Sequence, residues 1–290
     1  MAVKGINGKT AFMFPGQGSQ FVGMGRDLYA VSAKARDIYN EANEILGYDL
    51  GEICFNGPED KLTRTEYSQP AILVTSIAYL QEKEEKPQAA GGLSLGEYSA
   101  LICAGSLKFS AGLLLVQYRA RFMEEASRQC DGGMASIIGL GEQETRRIVR
   151  EEGNKVDIAN LNCPGQIVIS GLKKDIDDII PRFSKAGARK VIRLKVNGPF
   201  HSRYMEPARI KMKPLIGEAD ITEPEVSFYA NVTGTRVSKP EVIKDCLIKQ
   251  VSATTYWEKS INSMIFDGLE TFREVGPGNV LAGLLRRIKK

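Results

Sequence analysis

The run Gly92-Leu93-Ser94-Leu95-Gly96 sets a serine between two glycines at the spacing of a nucleophile elbow. In such a turn a strand passes sharply into a helix, and glycines stand where a Cβ would clash. The flanking residues fit that context: Pro87 introduces the small residues of 88–91, suited to a crowded sheet centre, and 97–104 have the composition of a helix. A serine hydroxyl is a weak nucleophile until a base takes its proton, and histidine is the side chain poised to do so near neutral pH. The chain holds one histidine, His201. If Ser94 works with an imidazole, it is that of His201. The unreactive alternatives are a turn serine and a packed histidine.

Composition removes several other classes. The chain has 290 residues, 43% hydrophobic and 26% charged, as expected of an ordinary globular protein near the length at which cores divide. A net charge of +4, from 39 basic and 35 acidic residues, is too small to indicate nucleic acid, but it leaves room for a local basic patch. Cys54, Cys103, Cys130, Cys163 and Cys246 are odd in number and widely spaced, which implies free thiols in a reducing cytoplasm. One histidine gives little support to a histidine-based metal site; oxygen ligands stay open. Beyond Lys4 and Lys9 the apolar run 11–14 is too short for a signal peptide, and no stretch reaches the length of a membrane span. The sequon Asn231-Val232-Thr233 has no meaning in a chain that is not exported.

Residues 10–14 read as a buried strand broken by Pro15-Gly16-Gln17-Gly18, whose glycine spacing is only a partial dinucleotide fingerprint, with Phe21 in the third glycine position. Helical patterns follow over 25–46 and 68–84. A further helix is predicted from Ser110, as N-cap, to about 127. Its apolar face carries Leu115, Phe122 and Ala126 with Arg119 among them, whereas Arg121 falls on the wet side. A guanidinium on an apolar stripe snorkels to the surface, pairs with a structural carboxylate or meets a carboxylate ligand. From 132 to 197 the order is strand 134–138, helix 142–152, strands 156–161 and 166–170, helix 173–185 and strand 188–196. That βαββαβ order predicts a ferredoxin-like subdomain inserted into a larger α/β body, with His201 just beyond its exit and facing the cleft between them. Strand 226–231, helices 240–250 and 256–266, strand 271–275 and a basic final helix return to the α/β pattern.

Six blocks taken together resemble the malonyl-CoA:acyl-carrier-protein transacylases of fatty-acid and polyketide synthesis. They are Phe14-Pro15-Gly16-Gln17-Gly18-Ser19-Gln20, Gly92-Leu93-Ser94-Leu95-Gly96-Glu97-Tyr98-Ser99 and Tyr118-Arg119-Ala120-Arg121-Phe122-Met123, followed by Asn160-Leu161-Asn162-Cys163-Pro164-Gly165-Gln166, Gly198-Pro199-Phe200-His201-Ser202 and Glu274-Val275-Gly276-Pro277-Gly278. A GxSxG alone recurs in many esterases, whereas six ordered blocks over nearly the whole chain are specific. The resemblance implies a large α/β-hydrolase-like body, 1–131 and 198–290, with a ferredoxin-like subdomain over 132–197.

It also implies a role for each matching residue. Ser94 would carry the malonyl group as an ester, with His201 as general base. The backbone N–H groups of Gln17 and Leu95 would form the oxyanion hole, and a main-chain carbonyl from Gln250 would orient the histidine. Arg119 would pair with the malonyl carboxylate, the anion its place on the apolar stripe lacked. Phe200, before the histidine, points to malonyl over methylmalonyl, a preference worth a few kcal/mol at most. The substrates implied are malonyl-CoA and phosphopantetheinylated acyl carrier protein, with no cofactor or metal, in a cytoplasmic monomer. An acidic carrier would meet basic residues, for which Arg189, Lys190, Arg193, Lys195, Arg286 and Arg287 are the candidates; the same cations could meet coenzyme A phosphates. An acyl hydrolase for carrier-bound groups is the enzymatic alternative, which a buried Arg119 disfavours, and a docking module with vestigial machinery is the non-enzymatic one.

Overall fold

A computed structural model describes residues 9–290; Lys4 and the start of the predicted body lie outside the described residues. The larger sheet contains β1 (Lys9–Phe14), β2 (Ala89–Gly92), β7 (Ser227–Ala230), β8 (Thr235–Val237) and β9 (Leu269–Glu274), in the order β8-β7-β2-β1-β9. All neighbours pair in parallel except β7 and β8. Parallel strands covered by helices on both faces are uniformly apolar, which is why the β1 sequence Ala11-Phe12-Met13-Phe14 is fully buried and shows no alternation. In the register Phe14 lies beside Gly92, so the chain leaves β1 and β2 at adjacent carboxyl ends. Ligands of open α/β sheets gather in that crevice.

The smaller sheet contains β3 (Gly132–Ile138), β4 (Asp157–Cys163), β5 (Gln166–Leu172) and β6 (Lys190–Arg193), all antiparallel in the order β4-β5-β3-β6. With helices Glu142–Glu151 and Lys173–Lys185 between its strands it has the ferredoxin-like arrangement. Ala135, Ile137, Ile169, Ile176, Ile179 and Phe183 form its own core. Met134, Ala159 and Val168 join the main core, so the opposite face of this sheet closes over the body. The chain is thus α/β, a parallel body with a small ferredoxin-like sheet inserted.

Several element boundaries differ from the sequence expectations, each for a local reason. The helical pattern 25–46 is two helices, Arg26–Val31 and Ala33–Leu46, because Ser32 is extended and its hydroxyl caps the Ala35 N–H. Ser110 is not a cap: the helix Phe109–Ser127 begins after Lys108 without a side-chain cap bond. The β4–β5 turn shortens to Pro164-Gly165, with Asn162 and Cys163 inside β4. Helix Thr65–Gln81 starts earlier than expected; it is buried on nearly all sides, so no amphipathic period marks its ends. Helices Leu50–Asn56, Glu59–Thr63 and Glu206–Glu218 and the three-residue β8 had not been expected.

Two glycines hold the body against the elbow. A Cβ on Gly92 would stand 2.0 Å from the carbonyl of Gly96, and one on Gly96 would stand 2.1 Å from the Phe14 oxygen. Both obstacles are backbone, so neither can swing aside. Gly96→Ala is therefore expected to lower the free energy of unfolding by about 3 kcal/mol, read from urea denaturation, whereas an unchanged midpoint would contradict this packing.

Candidate active site

The elbow lies between β2 and the helix Gly96–Cys103, with Ser94 at φ 54°. His201, four residues beyond Asn197, is also left-handed at φ 56°, and no other non-glycine among the described residues but Asn154 has a positive φ. Such conformations cost about 1–3 kcal/mol each and persist where surrounding contacts impose them. At Ser94 the contacts come from Asn231 at the end of β7: its Oδ1 accepts from the Ser94 N–H at 2.6 Å, and its Nδ2 donates to Gly92 O at 2.7 Å.

The two residues meet across the cleft. Ser94 Oγ lies 2.7 Å from His201 Nε2, and His201 Nδ1 lies 2.8 Å from the main-chain oxygen of Gln250. A carbonyl oxygen can only accept, so Nδ1 carries the ring hydrogen and Nε2 is free to accept from the serine hydroxyl. Burial, the Arg119 cation and, in the opposite sense, the backbones of Gln250 and Ala253 set the histidine pKa, which is lowered to about 4. The imidazole is neutral at pH 7, the form a general base requires.

Arg119 projects from Phe109–Ser127 into the same cleft and is 1% exposed. Its Nη1 donates to Gln69 Oε1 at 2.7 Å, and its Nη2 to Gln250 Oε1 at 2.9 Å and to Ser94 Oγ at 3.0 Å. Nε, fully buried, has no partner, and among the described residues Arg119 forms no ion pair. Of the readings of this arginine the surface one is removed, and among the described residues no structural carboxylate pairs with it. Arg121, two residues on, is exposed and pairs with Glu125 at 3.0 Å.

Gln17 follows β1, and Leu95 follows the nucleophile beyond β2; Gln17 lines the cavity, whereas Leu95 is buried behind it. A Cβ on Gly16 would lie 2.5 Å from the Leu93 oxygen, so the turn after β1 runs directly against the elbow. The Gln17 side chain accepts from Gln69 Nε2 and donates to Thr65, both at 3.3 Å. A cavity of about 180 Å³ joins these parts. Gln17, Ser94, Arg119 and His201 reach it, Phe200 narrows it, and Asn162 lines it from the small sheet. Among the described residues no cluster of His, Cys, Asp and Glu is placed to hold a metal ion, and no helix is long and apolar enough to cross a membrane.

Three residues of this neighbourhood escaped sequence reasoning. Gln69 carries no pattern of its own, lying in a helix buried on nearly all sides, and Asn231, at a strand end, stood out only as part of a sequon. Glu97 did carry a signal: a carboxylate among small residues, one turn past the nucleophile, on a helix the sheet must bury. It is completely buried, and burial raises its pKa to about 7 against the lowering effects of the Asn231 N–H, the Gln250 amide and Arg119.

A serine and histidine in hydrogen-bond contact on an elbow, with a buried cation and no acid in third place, can form and release an acyl-serine ester. A profile of the acyl transferase domain matches residues 11–289, and the chain belongs to that family: it is an acyltransferase. It is 43% identical to the malonyl CoA-acyl carrier protein transacylase of Bacillus subtilis (strain 168), over 97% of this chain and 91% of that one. The transacylase of the same name from Coxiella burnetii superposes with a TM-score of 0.93 at 36% identity, covering 97% of this chain and 91% of that one. A malonyl-transacylase solved in complex with a type II PKS acyl-carrier protein gives 0.93 at 35% identity, with 97% and 93% covered.

The histidine offers a test of this geometry by stability. Its pKa lies below the unfolded value of 6.5, so its contribution is complete above that pH and is lost as pH falls towards about 4. The difference corresponds to about 3 kcal/mol. Urea unfolding from pH 7 to 4 is expected to show His201→Gln losing less stability than the wild type by about that amount. Equal losses would mean a solvated imidazole.

Proposed function

We propose that this chain transfers malonyl groups from malonyl-CoA to the phosphopantetheine thiol of acyl carrier protein through a malonyl ester on Ser94. The observation that carries this reading is Arg119: a buried guanidinium beside the nucleophile, with an unpartnered Nε and, among the described residues, no ion pair. The names of the relatives supply the two substrates, and the solved complex supports a carrier protein as partner.

The reaction proceeds in two balanced halves. His201 Nε2 takes the Ser94 proton as Oγ attacks the thioester carbonyl. The N–H groups of Gln17 and Leu95 receive the oxyanion, the C–S bond breaks, and the imidazolium returns its proton to the departing coenzyme A sulfur. The carrier's thiol then gives its proton to His201 and attacks the ester, and the serine leaves with that proton. Gln250 holds the imidazole in the tautomer that both halves need. Arg119 turns its fork to the malonyl carboxylate, so an acyl group without that charge leaves the cation unmatched. Phe200 narrows the site around the α-carbon in favour of malonyl over methylmalonyl.

In this reading the catalytic body is 1–131 and 198–290, the cover is 132–197, and the enzyme is a cytoplasmic monomer that needs no cofactor. The carrier docks at the cavity mouth, where Arg287 reaches Gln166 and the Pro164 carbonyl and where Val280 is half exposed. Of the other candidate cations, Arg193 is paired with Asp177 and Lys190 lies on the exposed β6 edge.

Intact-mass analysis after brief exposure to malonyl-CoA tests the proposal. The wild type gains one malonyl adduct and Ser94→Ala none. Arg119→Ala forms it about 100-fold more slowly and accepts acetyl instead, as loss of a two-pronged charged contact requires. Free malonate accumulating without an adduct would indicate a hydrolase.

A further inference from the structure

The reaction proposed above assigns nothing to Glu97, yet this carboxyl group is fully buried directly behind the nucleophile. Oε1 accepts the Asn231 N–H at 2.7 Å, and Oε2 accepts from Gln250 Nε2. Both oxygens therefore face donors, and the two donors belong to the residues that assemble the site. Asn231 fixes the elbow through Ser94 N and Gly92 O. Gln250 does three things at once: its main chain holds His201, its Nε2 donates to Ser94 O at 2.7 Å, and its Oε1 receives Arg119.

An amide side chain has two ends of nearly equal shape, and its orientation is decided by what each end meets. With Nε2 towards Ser94 O and the carboxylate of Glu97, Oε1 is left for the guanidinium. Reversed, Oε1 would oppose a carbonyl and a carboxylate, while Nε2 would oppose a cation. All three contacts favour the observed orientation, and the Glu97 carboxyl group, which accepts at both oxygens, would set an acceptor against Oε1 in the reversed one. We propose that Glu97 is a positioning residue for carboxylated acyl groups, locking the Gln250 amide so that Arg119 is held where the substrate carboxylate arrives. This role rests on the proposed function. It divides the work of the site: Asn231 holds the elbow through Ser94 N and Gly92 O, while the Gln250 amide, which also donates to Ser94 O, holds the selector through Glu97.

Glu97→Gln tests the separation. The substituted side chain fills the same space and can still accept from Asn231 N–H, but its NH2 then faces Gln250 Nε2, donor against donor. The amide of Gln250 has to turn, and Arg119 Nη2 loses its Gln250 acceptor while keeping Ser94 Oγ. Three rates are measured by intact mass on folded protein: malonyl transfer from malonyl-CoA, acetyl transfer from acetyl-CoA, and labelling of Ser94 by an uncharged fluorophosphonate. The expected result is a malonyl-to-acetyl ratio lowered about tenfold, the loss of one hydrogen bond to a charged group, with fluorophosphonate labelling close to wild type. A parallel fall in all three rates, or an unchanged ratio, would overturn the role. Should Glu97→Gln not fold, Gln250→Met decides: it keeps the main-chain carbonyl for His201 and removes the amide, so the same fall in ratio is expected and an unchanged ratio overturns the proposal. Wild-type protein run alongside separates the two levels. No malonyl adduct on it removes the proposed function and this role together; an adduct with an unchanged variant ratio removes this role alone.

Discussion

The arrangement of this site depends on one electrostatic constraint, a guanidinium carried to 1% exposure without an ion pair among the described residues. Removing a charge from water costs several kcal/mol even after relaxation, and the protein answers with neutral acceptors: the oxygens of Gln69 and Gln250 and the serine hydroxyl. These are partial substitutes for an anion. Two glutamines from distant parts of the chain are committed to holding them, and Gln69 is itself tied to Gln17 on the turn that would receive the oxyanion. In the proposed mechanism, recognition of the acyl group and stabilisation of its carbonyl thus share one hydrogen-bonded frame. Burial first, and the same cation second, hold the His201 pKa down, so in the proposed mechanism the group that selects the substrate also helps to keep the base neutral.

The second dependence is on backbone shape. Ser94 and His201 both occupy left-handed conformations that a side chain disfavours, and each is pinned by hydrogen bonds to another segment. Glycines at 92 and 96 bring the elbow helix into contact with the ends of β1 and β2 at distances that admit no methyl group. Close packing of the sheet ends, rather than any single contact, is what presents the serine at the mouth of the cleft. The inserted sheet contributes its inner face, Met134, Val168 and Asn162, as the wall that completes the cavity.

Much of this was legible in the sequence because its signals are local. The elbow is defined by five consecutive residues, the lone histidine needed no alignment to stand out, and the βαββαβ alternation announced the inserted sheet before its strands paired. Arg119 was marked by conflict, a charge among apolar neighbours on one helix face. What stayed hidden depends on distant segments. Asn231 matters because β7 pairs with β2, and Gln69 because a helix buried on nearly all sides brings it to Arg119. Glu97 stood in plain view within the elbow block, but its meaning required Gln250, which is 153 residues away. The break at Ser32 was missed because the helical period continues across it on both sides, and only the cap reveals it.

The most direct test of the central claim is a crystal structure of the protein with malonyl esterified to Ser94. The account predicts that the malonyl carboxylate lies against Arg119 in a two-pronged contact, with Nη2 withdrawn from the serine oxygen and the ester carbonyl facing the N–H groups of Gln17 and Leu95. A carboxylate directed out of the cavity towards Arg287, with Arg119 still bound to Gln69, Gln250 and the serine oxygen, would contradict it.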